Sequence, residues 1–280
     1  MKIDKLFPGL KRIENGDYVL EGDLVSEDII EVELDDRFVV CGKVVSKKSI
    51  IVRWGIEAGE GIKAGEGIEA GLGIEAGCGI EAGCGIEAGW GIKAGWGIKA
   101  GWGIEAGLGI KAGWGIEAGE GIEAGWGIEA GWGIKAGWGI KAGEGIKAGL
   151  GIKAAGEGIK AGWGIEAKTF LDVKKRIFAG VSVYHTSENC KKFIKCAELR
   201  SGDVAFGDLM IEKPKIELAP CPFCGRENPA LLSAEEIDEK YEDEPTSYTV
   251  CCDMDNGGCG ACSGYRDTKE EAVEAWNKRG

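Results

Sequence analysis

The run Gly91-Ile-Lys-Ala-Gly-Trp96, Gly97-Ile-Lys-Ala-Gly-Trp102, Gly103-Ile-Glu-Ala-Gly-Leu108 obeys a six-residue rule, G-I-[EK]-A-G-X, that holds from Gly55 to Ala167. Ile recurs at seventeen positions from 56 to 152. One inserted Ala (Ala154-Ala155) shifts the frame, and Ile159 and Ile165 follow. The repeats act as an alignment of the chain with itself. Ile and the Ala two residues later never vary, the residue between them is Glu or Lys, and X is Trp, Glu, Leu or Cys. Period-two alternation places Ile and Ala on one face and the charge on the other, as in a half-buried strand. A close-packed core cannot take Glu and Trp interchangeably, so X must be exposed, at a corner. The glycines on either side of X permit a positive φ or a close backbone approach there.

Other periodic folds fail on physical grounds. Two glycines in every six residues would cost a helix about 2 kcal/mol per repeat. Glycines spaced four and then two apart do not fit a collagen triple helix. Stacked coils of a mainly β, parallel β-solenoid remain. One hexad cannot stand alone: a buried Ile contributes roughly 2 kcal/mol, while ordering six residues costs about 1–2 kcal/mol each. Only stacked coils close that gap, so both ends need caps. Residues 1–54 are assigned to an N-terminal cap with irregular coils, 55–167 to the strict hexads, and 168–212 to C-terminal irregular coils and a cap. Residues 213–280 form a separate module.

Three hexads per coil make a triangular prism, and two make a flat sandwich. The triangular form is the expectation. Taking every second X residue from Trp54 nevertheless collects seven of the nine Trp in the repeat, a pattern that suits a twelve-residue coil with one Trp-rich edge. Indoles repeated along a rigid rod either stack on one another at rungs about 4.8 Å apart or form a partner surface, where Trp is enriched. Trp90, Trp102, Trp114, Trp126, Trp138 and Trp163 are the candidate partner-binding residues. Glu and Lys at the charged position are expected to pair across coils, each pair contributing tenths of a kcal/mol.

The formal net charge of −13 divides as −2, −6, +2 and −7 over those four segments. No basic patch forms, so direct nucleic-acid binding is not expected. The chain has no apolar leader at its N-terminus and no run of about 18 apolar residues, so neither secretion nor a membrane span is expected. Eleven cysteines in such a chain read as reduced thiols and metal ligands rather than disulfides, and the expected compartment is the cytoplasm.

Most of that thiol chemistry lies near the C-terminus. Cys221-Pro-Phe-Cys224-Gly is followed by Tyr248-Thr-Val-Cys251-Cys252 and Gly258-Cys259-Gly-Ala-Cys262. C-x-x-C followed by Gly is a zinc-knuckle turn, and a second such element completes a tetrahedral Zn²⁺ site. Four thiols compete for the last two positions. Cys252 and Cys259 are preferred, with Cys251 and Cys262 as possible substitutes. A four-thiolate site leaves no open position for water, so the zinc is structural. Thr268 and Glu271 make a capping box for a terminal helix whose Ala272, Val273 and Trp276 share one face.

The stretch Leu218-Ala-Pro-Cys221-Pro-Phe-Cys224-Gly, the Cys259-Gly-Ala turn and the closing Glu270-Glu-Ala-Val-Glu-Ala-Trp-Asn-Lys-Arg279 resembles the Lar-like restriction-alleviation zinc-ribbon family of phages and prophages. The resemblance covers roughly residues 216–280. The second knuckle departs from the family pattern: six residues separate Cys252 from Cys259, where the family usually has two. The acidic stretch Glu235 to Glu244 reads as an insertion. The resemblance implies a phage protein of the host cytoplasm that blunts a defence or restriction component by binding a protein.

Three functions follow for testing. The first is a non-enzymatic interaction protein of the anti-restriction or anti-defence type, acting through the acidic Trp-rich rod and the ribbon. The second is a structural solenoid that self-assembles, as a homo-oligomer or polymer. The third is a hexad-repeat acyltransferase, which would use the single His, His185; a surface histidine is the plainer reading, and no Ser-His-Asp set can be assigned. His185, Cys190 and Cys196 could also form a second metal site, but cap packing is preferred. Cys78 and Cys84 read as tolerated exposed residues at X positions.

Overall fold

The computed structural model describes residues 1–181, 192–212, 218–225, 227, 229–233, 248–252, 258–266 and 269–278. The chain divides into two compact units, Met1–Lys213 and Pro214–Gly280.

The first unit is a parallel β-solenoid with three hexads per coil. Ile62 pairs with Ile80, Lys63 with Glu81 and Ala64 with Ala82, so each strand lies in register on the strand 18 residues away. Each hexad contributes one strand of three or four residues, such as Ile92–Ala94, Ile98–Ala100 and Ile104–Ala106, one on each face. Every Ile and Ala of the repeat is buried, with at most 3% of its surface exposed, and each charged residue points outward. Identical residues stack, so the core is a set of Ile and Ala ladders.

The corners explain the glycines. A Cβ at Gly113, before X, would sit 2.0 Å from the carbonyl oxygen of Gly95 one coil away, whereas at Gly115, after X, the nearest atom is 3.3 Å off. The first glycine is required by close backbone stacking. Left-handed backbone is not the reason, since among the strict repeats only Gly158 has a positive φ. Gly158 belongs to the coil that holds the inserted Ala. Gly139 pairs with Gly158, nineteen residues away, and the extra residue is absorbed at the corner.

The hexad rule fades toward the ends, but the coil continues. Tyr18–Leu20, Leu24–Ser26 and Ile30–Val32 form a first coil of twenty residues per turn. An antiparallel pair, Leu10–Arg12 with Tyr18–Leu20, closes this end, and Phe7 and Leu10 pack against the core. The end is tied by Lys5 Nζ to Asp35 at 2.6 Å, Tyr18 Oη to Asp35 at 2.7 Å, and Arg37 to Asp17 at 2.8 Å. At the other end Phe170–Ala179 runs across two faces, pairing with both Ile152–Ala154 and Gly158–Ala161. The final coil leaves Phe206, Leu209, Met210 and Ile211 exposed.

The second unit has its own small core of Cys221, Val250, Cys252, Ala272 and Trp276. Ala230–Ser233 pairs antiparallel with Tyr248–Cys251. Helix α1 (Lys269–Asn277) packs Ala272, Val273 and Trp276 inward as its spacing predicts. Its Thr268 cap lies outside the described residues, as do the 235–244 insertion, His185 and Cys190.

Candidate metal centre and interaction edges

Two turns and one strand end bring four sulfurs together. The first turn follows Leu218, and Gly225 enters it with φ +69° while donating to the Cys221 carbonyl at 2.8 Å. Helix α1 anchors this turn: Trp276 Nε1 donates to the Ala219 carbonyl at 2.8 Å, and Asn277 Oδ1 accepts from the Ala219 N–H at 2.9 Å. Cys252 directly follows the strand Tyr248–Cys251, and Gly260, with φ +75°, turns the chain beside Cys259 and donates to the Cys252 carbonyl.

The Sγ atoms of Cys221, Cys224, Cys252 and Cys259 lie within 4.8 Å of one another. Cys221 and Cys259 are 3.5 Å apart, and Cys224 and Cys252 3.6 Å. A tetrahedral metal with bonds of about 2.3 Å needs sulfurs about 3.8 Å apart, so the set fits a metal ion. For Cys221, burial opposes the thiolate, but the N–H groups of Phe223 and Cys224 and the Cys259 thiol outweigh it and bring the group down to about 7. For Cys252, the Cys259 N–H stabilises the thiolate from 3.4 Å, but burial and the Cys224, Cys221 and Cys259 thiols push it up to about 12. A cation among the four sulfurs would favour their thiolate forms.

The substitutes do something else. Cys251 and Cys262 face each other across an antiparallel bridge and form a disulfide. This corrects the expectation that every thiol is reduced or metal-bound. Successive strand residues point to opposite sides, so once Cys252 faces the metal cluster its neighbour Cys251 cannot.

On the rod, the eighteen-residue coil redistributes the tryptophans. Trp54, Trp90, Trp126 and Trp163 share one corner with Leu72, Leu108 and Glu144. Trp102 and Trp138 share a second corner with Glu66, Cys84, Glu120 and Glu157. Trp114 belongs to the third. The six candidate partner-binding residues therefore lie on three edges and form no single stripe, and the Trp-rich edge of the twelve-residue reading disappears. The third corner instead stacks Trp96 on Trp114 at 5.6 Å and Trp114 on Trp132 at 5.2 Å, with interplanar angles of 10° and 4°. Trp96 and Trp132 escape a search by parity, but a spacing of eighteen finds them at once.

The charged faces also differ. Cross-coil pairs such as Lys63–Glu81 at 3.0 Å, Glu117–Lys135 at 2.8 Å and Lys111–Glu129 at 3.1 Å line two of them. The third face stacks Glu69, Glu87, Glu105 and Glu123 on consecutive coils. Of these only Glu123 makes an ion pair among the described residues, with Lys141. Cys78 and Cys84 are half-buried rather than exposed, and Cys196 is buried in the core. No helix among the described residues is long and apolar enough to cross a membrane.

Comparison with curated proteins and with solved structures finds no match to the chain. The family model of restriction alleviation protein Lar matches residues 216–280, so the unit that gathers the four cysteines is similar to that family while the rod lies outside the match.

Proposed function

We propose that this chain is a non-enzymatic, phage- or prophage-type anti-restriction protein that acts in the host cytoplasm by binding a protein of the host defence. The observation that carries this reading is the match of residues 216–280 to the restriction alleviation family, over the unit that holds the four-cysteine cluster. The ion we assign to that cluster is Zn²⁺, since four thiolates in a tetrahedron select it over harder divalent cations. With four protein ligands the metal has no open position, so it holds the fold and does no chemistry.

The rod supplies a surface suited to a basic partner. Like charges directly opposite on neighbouring strands destabilise a sheet, yet Glu69, Glu87 and Glu105 follow one another in register. Glu66, Glu120 and Glu157 occupy the adjoining corner, next to the exposed Trp102 and Trp138. A row of carboxylates beside half-exposed indoles offers charge and apolar contact together, the combination found at protein hot spots.

The test is plating of unmodified phage on a restricting host that expresses the chain. Plating should rise with the wild type, fall back with Cys221→Ser, and fall back with Glu69→Lys/Glu87→Lys/Glu105→Lys. A plating efficiency that never responds to the chain on any restricting host would sink the reading. A response that survives the triple substitution would remove the rod face from it.

A further inference from the structure

We propose that the Trp96–Trp114–Trp132 edge is a self-association surface that joins two copies of this chain as an antiparallel pair about a twofold axis at Trp114. The corner residues along this edge are Cys78, Trp96, Trp114, Trp132 and Leu150, one per coil. They are linked by corner hydrogen bonds, Trp96 N to Cys78 O at 3.1 Å through Leu150 N to Trp132 O at 2.8 Å. The three indoles stack in parallel and remain 54, 50 and 55% exposed. The other two edges lack three successive indoles: Leu72 and Leu108 alternate with Trp54, Trp90 and Trp126 on one, and Glu120 separates Trp102 from Trp138 on the other. A continuous apolar strip five coils long is the kind of surface that a monomer rarely leaves uncovered.

Charge complementarity selects the occupant and its direction. Cys78 is flanked on the two adjoining faces by Glu75 and Glu81, and Leu150 by Lys147 and Lys153. An antiparallel twofold at Trp114 sets Cys78 of one copy against Leu150 of the other. Each end of the interface then opposes two carboxylates to two ammonium groups. One coil nearer the axis, Lys93 meets Glu129 of the second copy. Lys99 meets Lys135, and at the axis Lys111 and Glu117 each meet their own copy, as like charges. Lys93, Glu129, Lys135 and the four end charges all also pair within their own rod, in exposed pairs that can exchange partners. A parallel twofold would set every coil against itself with its two flanking faces exchanged, so that Glu75 meets Glu81, Lys93 meets Lys99 and Lys147 meets Lys153, like charges at three of the five coils. The strip is only one corner wide, and a standard interface takes about 800 Å² from each partner. The remainder must come from the Lys and Glu stems beside it. The dimer is therefore reversible with concentration.

The experiment is sedimentation of the full chain over a concentration series, with two edge variants. Glu already occupies five X positions, so Trp114→Glu keeps the coil intact. The wild type should rise from 29.6 kDa toward twice that mass. Trp114→Glu should stay at the monomer mass over the same range, and Trp90→Glu, on another edge, should dimerise like the wild type. Direction is read by mild oxidation of the Leu150→Cys variant and peptide mapping. Cys78 of one copy should link to the new thiol of the other. A wild-type chain that stays monomeric throughout overturns the proposal. So does a dimer indifferent to Trp114→Glu, which would place the contact elsewhere, for instance on the open coil at Leu209–Ile211. A Cys78–Cys78 link overturns the antiparallel arrangement.

Discussion

A single Cβ separates the two glycines of each hexad. At Gly113 it would meet backbone, the Gly95 carbonyl carbon at 3.1 Å and its oxygen at 2.0 Å, and neither can move without separating two coils. At Gly115 the contact is 3.3 Å and a small shift relieves it. Overpacking of this kind typically costs about 1–3 kcal/mol, and a backbone contact belongs at the upper end. Gly113→Ala should therefore lower the unfolding free energy by roughly 3 kcal/mol and Gly115→Ala by under about 1 kcal/mol, read from urea titrations followed by circular dichroism. The same scale separates the C-terminal thiols. Cys252→Ser and Cys259→Ser should each abolish stoichiometric metal in native mass spectra. Cys251→Ser and Cys262→Ser should leave it at one ion per chain, and so should reduction of the wild type, because the disulfide shares no sulfur with the cluster. Loss of metal from Cys251→Ser would mean that the two adjacent cysteines had been assigned the wrong way round.

At the scale of elements, the N-terminal cap is held by carboxylates. Hydrogen bonds from Lys5 and then Tyr18 hold the Asp35 carboxyl down at about 2, and Arg37 holds Asp17 below the usual carboxylate range. A depressed pKa stabilises the fold fully above the unfolded value near 3.9, and that contribution is lost as pH falls through the folded value. The cap should therefore loosen between about pH 4 and pH 2, and Asp35→Asn should lose part of that pH dependence. Hydrogen exchange across 1–40, compared between pH 5 and pH 2.5, reads it. Equal protection at both pH values would show that the Lys5–Asp35–Tyr18 cluster contributes nothing. The cross-coil Glu–Lys pairs are exposed and carry less weight, a few tenths of a kcal/mol each. Their pattern matters more for which face meets a partner.

At the scale of the whole molecule, the two units are stabilised by different means. The rod buries a ladder of Ile and Ala over many coils, whereas among the described residues of the second unit Val250, Ala272 and Trp276 are buried with Cys221 and Cys252. A core that small rarely folds without a staple. Chelation should unfold the second unit and leave the rod intact. In limited proteolysis mapped by mass, new cuts should appear within 214–280 on adding chelator while 1–212 stays protected. Cuts spreading into the hexads would show that the rod depends on the metal.

Much of this was legible in the residues. Invariant Ile and Ala with alternating charge admit only a half-buried strand, and paired glycines around a variable residue admit only a corner, because both are local demands of backbone and burial. Cys221, Cys224 and the inward face of α1 followed from spacing for the same reason. Hexads so alike do not reveal how many close a coil, because each satisfies its own backbone equally well on a flat or a triangular rod. Only the stacking of Ile62 on Ile80 decided it, and with it which tryptophans share an edge. Cys252 was preferred to Cys251 in the sequence, but which of them joins the cluster depends on which side of one strand faces the Cys221–Cys224 turn, a relation between segments far apart in the chain. The sequence by itself determined the strand, the corner and the thiol chemistry. The tertiary structure decided the period, the edges and the partner of each sulfur, because these depend on which distant backbone lies alongside.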